Sequence, residues 1–314
     1  MKCSNCQVDI IGQDYGGCCS VSCREILFQQ RTMMGCDHFE KVGMDINDYH
    51  SGPGVSTHGL QCLFNGDPLH YYYEYLYPHR TSKSAALSLG SAFHAYILEP
   101  SQFEKQVFIK AEDFNGRTNA GKALVEEQEK IGKRVITFQE GKILEKMKQS
   151  VLADSIAAPL LEQCLNREVS MFVRLADGVT LKFRPDGEAT GKFLLNLKTT
   201  SDNTPSSFNR DAASYYYPFA AANYIDLYRR ITGDLVPEYL VSVETTFPYS
   251  VRVRMFRPEH LELCLKARDK AVEIYRRCIE KDKAGLFAWG LKEEVEWIDL
   301  AGWWLADLER RTNV

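Results

Sequence analysis

Four residues near the middle of the chain have the types and spacing for metal-assisted chemistry. Pro185 and Asp186 end one short apolar stretch, and the next stretch contains Asn196 and Lys198. Side chains alternate along a strand, so Asn196 and Lys198 would share one face, as would Arg184 and Asp186 on the strand before. Oxygen ligands of this kind bind Mg²⁺, and a nearby lysine can polarise an attacking water. The pattern indicates a Mg²⁺-dependent phosphodiester hydrolase.

Short strands must position these residues. From Glu168 to Thr200 apolar and polar residues alternate, which predicts three strands. Asp177-Gly178 is typical of a tight hairpin turn between the first two strands. A second turn is expected from Gly187 to Gly191.

Helices and a further hairpin are predicted around this core. The predicted helices are 56–77, interrupted near Pro68, and 84–98, 137–153, 155–165, 206–232 and 258–281, and the hairpin strands lie near 238–245 and 250–256. The expected fold class is α/β, with a central mixed sheet built from the 168–198 strands and the 238–256 hairpin and flanked by helices. Cys264 and Cys278 are expected to be small buried apolar residues. The last thirty residues, with Trp289, Trp297, Trp303 and Trp304, are expected to pack on the core or to form a subunit contact.

The motifs together resemble one nuclease family. Pro185-Asp186 and Asn196-Leu197-Lys198 are similar to the PD-(D/E)xK signature of RecE-like exodeoxyribonucleases of the exonuclease VIII type. The further matches, in the order of that family, are YHSGPGVSTHGL from Tyr49, LGSAFH from Leu89 with LEP from Leu98, NGRTNAGK from Asn115, and VE with PY from Val243 and Pro248. The resemblance spans residues 45 to 300. It implies a PD-(D/E)xK nuclease fold and 5′→3′ digestion of linear double-stranded DNA for recombination of the phage type.

The resemblance also implies a metal site and partners. The implied ligands of Mg²⁺ or Mn²⁺ are His94, Asp186, Asn196 and the Leu197 backbone carbonyl. The implied catalytic residues are Lys198, Asp186, Asn196 and Glu168. Without the resemblance, His94 could be a buried core histidine and Glu168 a surface residue at a strand end. The implied partners are DNA ends, further copies of the chain in a ring, and a RecT-like single-strand annealing protein.

Two positions depart from the family. It has an acidic residue where this chain has Asn196, and a neutral amide brings no negative charge to a Mg²⁺ site. We therefore predict that the chain as written is catalytically impaired, through either replacement of an Asp or natural degeneration. A helical glutamine of the family is replaced by Ala220, so its help in orienting the substrate or the lysine would be missing.

Half of the ten cysteines lie in the first 23 residues. Cys3-x-x-Cys6 and Cys19-x-x-x-Cys23 have the spacing of a four-thiolate zinc site and resemble treble-clef or zinc-ribbon modules. Cys18 could replace Cys19, and reduced thiols in a tail are the alternative. The expected division is a zinc module at 1–30, a linker at 31–50 and the exonuclease domain at 51–314.

Basic and aromatic residues are candidates for DNA contacts. Arg117 and Lys122 flank a TNAG segment, and forked guanidinium donors suit phosphate oxygens. A solvated helix start is the alternative. Arg184 is a third candidate. The tyrosines between 71 and 77 could stack on bases, although aromatic packing in the core is the favoured interpretation.

Composition excludes some classes and leaves others open. A net charge of −4 argues against a broadly basic nucleic-acid coat but permits a nuclease. Because no apolar run approaches membrane-span length and the N-terminus does not resemble a signal peptide, we expect a cytoplasmic protein without a membrane partner. A RecB-like nuclease of the same superfamily, which often binds an iron–sulfur cluster, and a non-enzymatic DNA-binding scaffold are the alternatives.

Overall fold

The structure is a computed structural model. It describes residues 37–52, 54–66, 68–76, 88–287, 289–290 and 302. The predicted zinc ligands Cys3, Cys6, Cys19 and Cys23 lie outside the described residues, so the zinc module stays a prediction. Within the described part, no helix combines the length and the apolar character needed to cross a bilayer.

Two sheets and a small ribbon form the β structure of the described residues. In chain order the strands are β1 (His38–Lys41), β2 (Val55–Ser56), β3 (Val107–Ile109), β4 (Arg134–Ile136), β5 (Asn166–Arg167), β6 (Ser170–Arg174), β7 (Thr180–Phe183), β8 (Gly187–Ala189), β9 (Phe193–Thr200), β10 (Glu238–Glu244) and β11 (Val251–Arg254). The central sheet has the order β11-β10-β9-β8-β5, a second sheet has the order β1-β6-β7-β2, and β3 pairs with β4. β9 and β10 are parallel whereas β8 and β9 are antiparallel, so the central sheet is mixed as predicted.

The prediction that all the 168–198 strands share one sheet was wrong. The β6–β7 hairpin belongs to the second sheet. Pro185 has no N–H to give to a ladder, and Glu168 has a φ of +53°, far from extended backbone. Both strands of the long hairpin, which runs from β5 and β6 to β7 and β8, are therefore interrupted at the same level. On one side of the interruption β6 and β7 pair in the second sheet, and on the other side β5 and β8 pair in the central sheet. The turn predicted from Gly187 to Gly191 is correspondingly shorter, because Gly187–Ala189 pairs with β9.

Helices cover the sheets. They are α1 (Ile46–Ser51), α2 (Thr57–Asn65), α3 (Pro68–Tyr71), α4 (Ser88–Leu98), α5 (Phe103–Gln106), α6 (Asn119–Lys130), α7 (Phe138–Ala153), α8 (Ala157–Gln163), α9 (Pro205–Ser214), α10 (Tyr217–Thr232) and α11 (Pro258–Lys283), with a π-helical turn at Tyr72–Leu76. Ser56 caps α2 by accepting a hydrogen bond from Gly59 N at 3.1 Å. The helix predicted over 206–232 is split, because Tyr216 adopts a left-handed φ of +55°.

Part of the stretch predicted as a linker is folded. His38–Lys41 pairs with β6, and α1 follows it. Lys182, buried on β7, donates hydrogen bonds to the carbonyls of Tyr49 at 2.8 Å and His50 at 3.2 Å. The folded domain therefore includes residues before 51.

The two faces of the central sheet lie against different apolar clusters. Leu194 packs with residues of α2, α10 and α11, whereas Leu195 and Leu197 pack with α4, α7 and α8. This alternation confirms that Leu194, Asn196 and Lys198 share one face.

The tyrosine-rich turn belongs to the first of these clusters. Tyr71 and Tyr72 are buried there, each with its ring centroid 5.8 Å from that of Trp289. Core packing is therefore confirmed for these two tyrosines. Cys278 is buried in the same cluster and Cys264 packs against it, as predicted.

Candidate metal centre

The candidate site lies where the long hairpin bends from one sheet into the other. Glu168 separates β5 from β6, and Pro185-Asp186 lies between β7 and β8. The Glu168 N–H donates a hydrogen bond to the Asp186 carbonyl at 3.3 Å, so the two breaks lie opposite each other. The bend places both carboxylates at a corner between the sheets rather than within a continuous ladder.

Three candidate ligands meet at this corner. Single ligand atoms of His94, Glu168 and Asp186 all lie within 4.8 Å of one another. His94 Nδ1 is 3.6 Å from Asp186 Oδ2. The structure thus brings together three residues that the sequence indicated from separate segments.

A glycine allows the histidine to reach the corner. His94 belongs to α4, which packs across β9. A Cβ on Gly90 would lie 3.0 Å from Thr199 Oγ1, closer than side chains normally approach. The glycine in the GxxxH spacing therefore permits the close approach of α4 that positions His94.

Asp186 is held in its charged form. Its Oδ2 accepts a hydrogen bond from the Leu197 N–H at 2.6 Å. Although burial raises the pKa of Asp186, the His94 imidazole, the Lys198 ammonium and the Leu197 N–H together hold that pKa below its usual value. An ionised, fixed carboxylate is what a cation ligand requires.

Glu168 has a different environment. Burial, with the nearby Asp186 charge, raises the pKa of Glu168 to about 7 against the opposing effect of Arg184. Arg184 Nε donates to Glu168 Oε2 at 2.7 Å, and Arg184 Nη1 donates to the Met44 carbonyl at 2.9 Å. These hydrogen bonds use part of the donors of the Arg184 guanidinium. The contact of Arg184 with DNA stays a prediction.

The strand β9 contributes the remaining predicted residues. Asn196 is buried on the face that also carries Lys198. Lys198 is half-buried, and its Nζ lies 5.5 Å from the ring centroid of Tyr217. In a strand the N–H and C=O of one residue face the same neighbour, so the Leu197 carbonyl is directed toward the side of Asp186.

Sequence reasoning missed Glu238. It begins β10 and pairs in register with Leu194, on the same sheet face as Asn196. Burial raises the pKa of Glu238 to about 7, while the Asn196 side chain and the Lys198 charge lower it. The glutamate was visible in the sequence, but its neighbour Asn196 was not, because the order of the strands was unknown.

The donors fit a divalent cation. Two carboxylates and a backbone carbonyl are oxygen ligands of the kind that suit Mg²⁺ and Mn²⁺, and one imidazole joins them. When bound, such an ion polarises a phosphate group and lowers the pKa of a bound water. Lys198 is close enough to Asp186 to shift its pKa, and so adds positive charge beside the ligands.

The other predicted residues lie elsewhere. Arg117 and Lys122 are exposed, one before α6 and one in its first turn. Thr118 caps this helix by accepting a hydrogen bond from Gly121 N at 3.0 Å. The contact of Arg117 and Lys122 with DNA stays a prediction. Ala220, at the position of the family's glutamine, is half-buried in α10.

The mixed sheet, the carboxylates at the strand bend and the lysine on the central strand define the PD-(D/E)xK nuclease class. Residues 71–285 match the family described as "PDDEXK-like domain of unknown function (DUF3799)". This match covers more than half of the chain, and the chain belongs to that family.

One solved structure shares the fold. It is described as a "putative exonuclease" from Eubacterium rectale, and the similarity covers 85% of this chain and 98% of that chain, with a TM-score of 0.53 and 15% sequence identity. At that identity the likeness shows the fold alone. No match to this chain is found among curated proteins.

Proposed function

We propose that this chain is a divalent-metal-dependent exodeoxyribonuclease that digests linear double-stranded DNA in the 5′→3′ direction. The observation that supports it most is the meeting of His94, Glu168 and Asp186 within 4.8 Å at the hairpin bend. Membership of the PDDEXK-like family supports nuclease chemistry. The substrate and direction rest on the RecE-like motifs of the sequence.

The residues have separable roles in this proposal. His94, Asp186, the Asn196 amide oxygen and the Leu197 carbonyl would hold Mg²⁺ or Mn²⁺, and Asp186 is fixed for this by the Leu197 N–H. Glu168, oriented by Arg184, accepts a proton or binds the ion from the opposite side of the corner. Lys198 orients the attacking water or stabilises negative charge on the phosphate.

Labelled linear duplexes test this function. We expect Mg²⁺ or Mn²⁺ to support release of nucleotides from 5′ ends, leaving 3′ single strands. A covalently closed plasmid should stay intact, and EDTA should abolish the activity. Cleavage of the plasmid, or release of label from 3′ ends first, would contradict the proposal.

Asn196 should weaken this activity. A neutral amide oxygen is a poorer ligand for a hard cation than a carboxylate, so the chain should need more metal than an enzyme with an acid at this position. The impairment predicted from the sequence is therefore retained as part of the proposal. Its measurement is the metal concentration that gives half-maximal digestion.

The partners of the proposed enzyme rest on the same motifs. We infer a homo-oligomeric ring, a RecT-like annealing partner, zinc bound by the 1–30 module and a cytoplasmic location. Light scattering measures the oligomer, and metal analysis of wild type and Cys6→Ser measures the zinc content. One zinc per chain, lost in the variant, is the expected result.

A DNA-binding scaffold is the second candidate. Asn196 and Ala220, where the family has an acid and a glutamine, favour it. DNA binding without digestion under any metal condition, even after restoration of charge at the site, would support it. A RecB-like enzyme with an iron–sulfur cluster is less favoured, because Cys278 is buried in an apolar cluster and Cys264 packs against that cluster. A colourless purified protein would agree with that.

A further inference from the structure

One arginine of the central sheet lies beside the candidate metal centre in sequence and in register. Arg167 ends β5 and directly precedes Glu168. It pairs with Gly187, which directly follows Asp186. The backbone of Arg167 is therefore fixed to the sheet next to both carboxylates.

The side chain of Arg167 binds the ends of two helices. Its Nη1 donates hydrogen bonds to the carbonyls of Ile97 at 3.1 Å and Leu98 at 3.4 Å, the last two residues of α4. At the end of α8, its Nη2 donates to the Leu161 carbonyl at 2.9 Å and its Nε to the Cys164 carbonyl at 3.1 Å. These four acceptors are all backbone carbonyls.

The chemistry of the guanidinium suits these helix ends. The last carbonyls of a helix have no donor within the helix, and the helix dipole places partial negative charge there. A guanidinium offers five donors in a planar fork, so one arginine can satisfy carbonyls from two helices at once. Arg167 therefore fixes the end of α4 relative to β5.

The bound end of α4 is one turn away from His94. Residues 94 and 98 are four positions apart and lie on the same side of the helix. His94 Nδ1 in turn lies 3.6 Å from Asp186 Oδ2. Arg167 thus links the segment that carries Glu168 to the helix that carries His94.

The surrounding backbone is closely packed. A Cβ on Gly187 would lie 2.9 Å from Cys164 Sγ, so β8 and the end of α8 are in direct contact. The carbonyl of the same Cys164 accepts a hydrogen bond from Arg167. The ends of α4 and α8 and the β5–β8 pair therefore meet at the Arg167 side chain.

We propose that Arg167 sets the position of His94 relative to Glu168 and Asp186 and thereby sets the metal affinity of the candidate site. Arg167 is a positioning residue, because its donors bind backbone carbonyls and it acts on the ion through α4. The inference rests on the proposed metal-dependent function. If Arg167 served only the stability of the fold, its folded variants would bind metal as the wild type does.

Titration calorimetry with Mn²⁺ on wild type, Arg167→Met and Arg167→Lys tests the proposal. Arg167→Met should weaken Mn²⁺ binding by roughly 10- to 100-fold, the range typical of residues that orient metal ligands. Arg167→Lys keeps the charge but lacks the fork, so it should lose a smaller factor. If Arg167→Met does not fold, Arg167→Lys carries the test. Wild-type Mn²⁺ affinity in every variant that folds would overturn the proposal.

Arg254→Met is the matched control. Arg254 is a half-buried arginine on β11, at the opposite edge of the central sheet, and its Nη2 donates to the Asn203 carbonyl at 2.8 Å. Urea unfolding should show that both Met variants lose stability, because each leaves a backbone carbonyl without its donor. Mn²⁺ binding should stay unchanged in Arg254→Met. Equal losses of Mn²⁺ affinity in the two Met variants would overturn the specific role of Arg167.

A second background tests the route through His94. His94→Gln replaces the ligand that Arg167 positions, so Arg167→Met should cost a smaller factor in Mn²⁺ affinity there than in the wild type. Equal factors in the two backgrounds would show that Arg167 does not act through His94, against the proposal.

Cleavage assays on the same proteins keep the two proposals distinct. If Mn²⁺ binding follows the expected pattern and no protein digests DNA, the role of Arg167 is supported and the nuclease function fails. If the wild type digests DNA and Arg167→Met binds Mn²⁺ equally well, only the role of Arg167 fails. If the wild type binds no Mn²⁺, both fail.

Discussion

Two polar clusters lie partly buried in the fold, and they differ in how their charges are paired. The first, which we call the open corner, consists of His94, Glu168 and Asp186. The second, which we call the closed network, lies between α2, α10 and α11 and consists of Thr57, Asn223, Asp226 and Arg268.

In the closed network, hydrogen bonds link the members in a chain. Asn223 Nδ2 donates to Thr57 Oγ1 at 2.9 Å, and Arg268 Nη1 donates to Asn223 Oδ1 at 3.3 Å. The same Arg268 Nη1 lies 2.9 Å from Asp226 Oδ2. Opposite charges and complementary donors meet, so the network joins three helices.

In the open corner, like charges face each other. Carboxylate oxygens of Glu168 and Asp186 lie within 4.8 Å of each other, and the Asp186 charge helps to raise the pKa of Glu168. Such an arrangement is unfavourable unless a cation or a proton lies between them. The comparison indicates that paired buried charges stabilise this fold, whereas the facing carboxylates are kept for ligand binding.

Asp186→Asn should have the largest effect, and it acts on the open corner. Loss of an outer partner of a metal ligand costs 10- to 100-fold, so loss of a direct ligand should reduce cleavage by roughly 1,000-fold or more. Stability should fall only modestly, because the attraction to His94 is lost while an amide oxygen can still accept from the Leu197 N–H and the repulsion with Glu168 is relieved. Single-turnover digestion and urea unfolding measure the two effects. A large loss of stability with normal cleavage would show that Asp186 serves the fold rather than the metal site.

Arg268→Met should have the largest effect on the closed network. The change leaves Asp226 with Arg230 at 2.8 Å and takes the donor from the buried Asn223 oxygen, so it should cost about 1–3 kcal/mol. The control is Arg276→Met, on an exposed i,i+4 pair with Glu280 on the same helix, which should cost no more than about 0.5 kcal/mol. Urea unfolding gives both values. Cleavage by the folded fraction of Arg268→Met should equal that of wild type, and a specific loss would link this network to the site.

Much of the open corner could be predicted from the sequence. Residue type and period placed Asp186 at a strand end and Lys198 two residues after position 196, whereas His94 was indicated by the resemblance to the RecE-like family. The break of the hairpin at Glu168 was not predicted, because a left-handed φ in a non-glycine residue has no local signal in the sequence.

Contacts between neighbouring strands and between packed helices could not be predicted from the sequence. Glu238 and Asn196 are 42 positions apart, and only the parallel register of β9 and β10 makes them neighbours. Arg268 reads as an ordinary helix residue until α11 packs on α10. The spacing of apolar residues shows which face of a helix or strand is buried. Which other element packs on that face depends on the topology of the fold, which the spacing does not give.

Asp226→Asn should have a smaller effect than Arg268→Met, and this effect should depend on pH. Although burial raises the pKa of Asp226, the Arg230 hydrogen bond and the Arg268 charge hold it below its usual value of 3.8. A carboxyl with a lowered folded-state pKa stabilises the fold above its unfolded pKa, and this contribution is lost as pH falls through the folded pKa. The stability difference between wild type and Asp226→Asn should therefore be constant from pH 5 to 7 and shrink below about pH 4. Urea unfolding from pH 3 to 7 measures this difference, and a difference that does not shrink at all between pH 5 and pH 3 would contradict the pairing.

Tyr215→Ala should have the smallest effect, at a pair of stacked tyrosines of which one, Tyr217, lies beside Lys198. Tyr215 is 63% exposed, and its ring stacks on Tyr217 with centroids 5.7 Å apart, next to Lys198. One face of the Tyr215 ring can take a DNA base, and stacking of this kind contributes at least about 1 kcal/mol, or roughly 5-fold in KM. Because Tyr215 is not one of the proposed metal ligands, kcat should stay the same. Tyr73→Ala, which truncates a tyrosine that is 53% exposed in the aromatic core region, is the control and should leave KM unchanged. Equal changes in the two variants would show that Tyr215 does not stack on the substrate, and a loss in kcat would place it within the chemistry of the open corner.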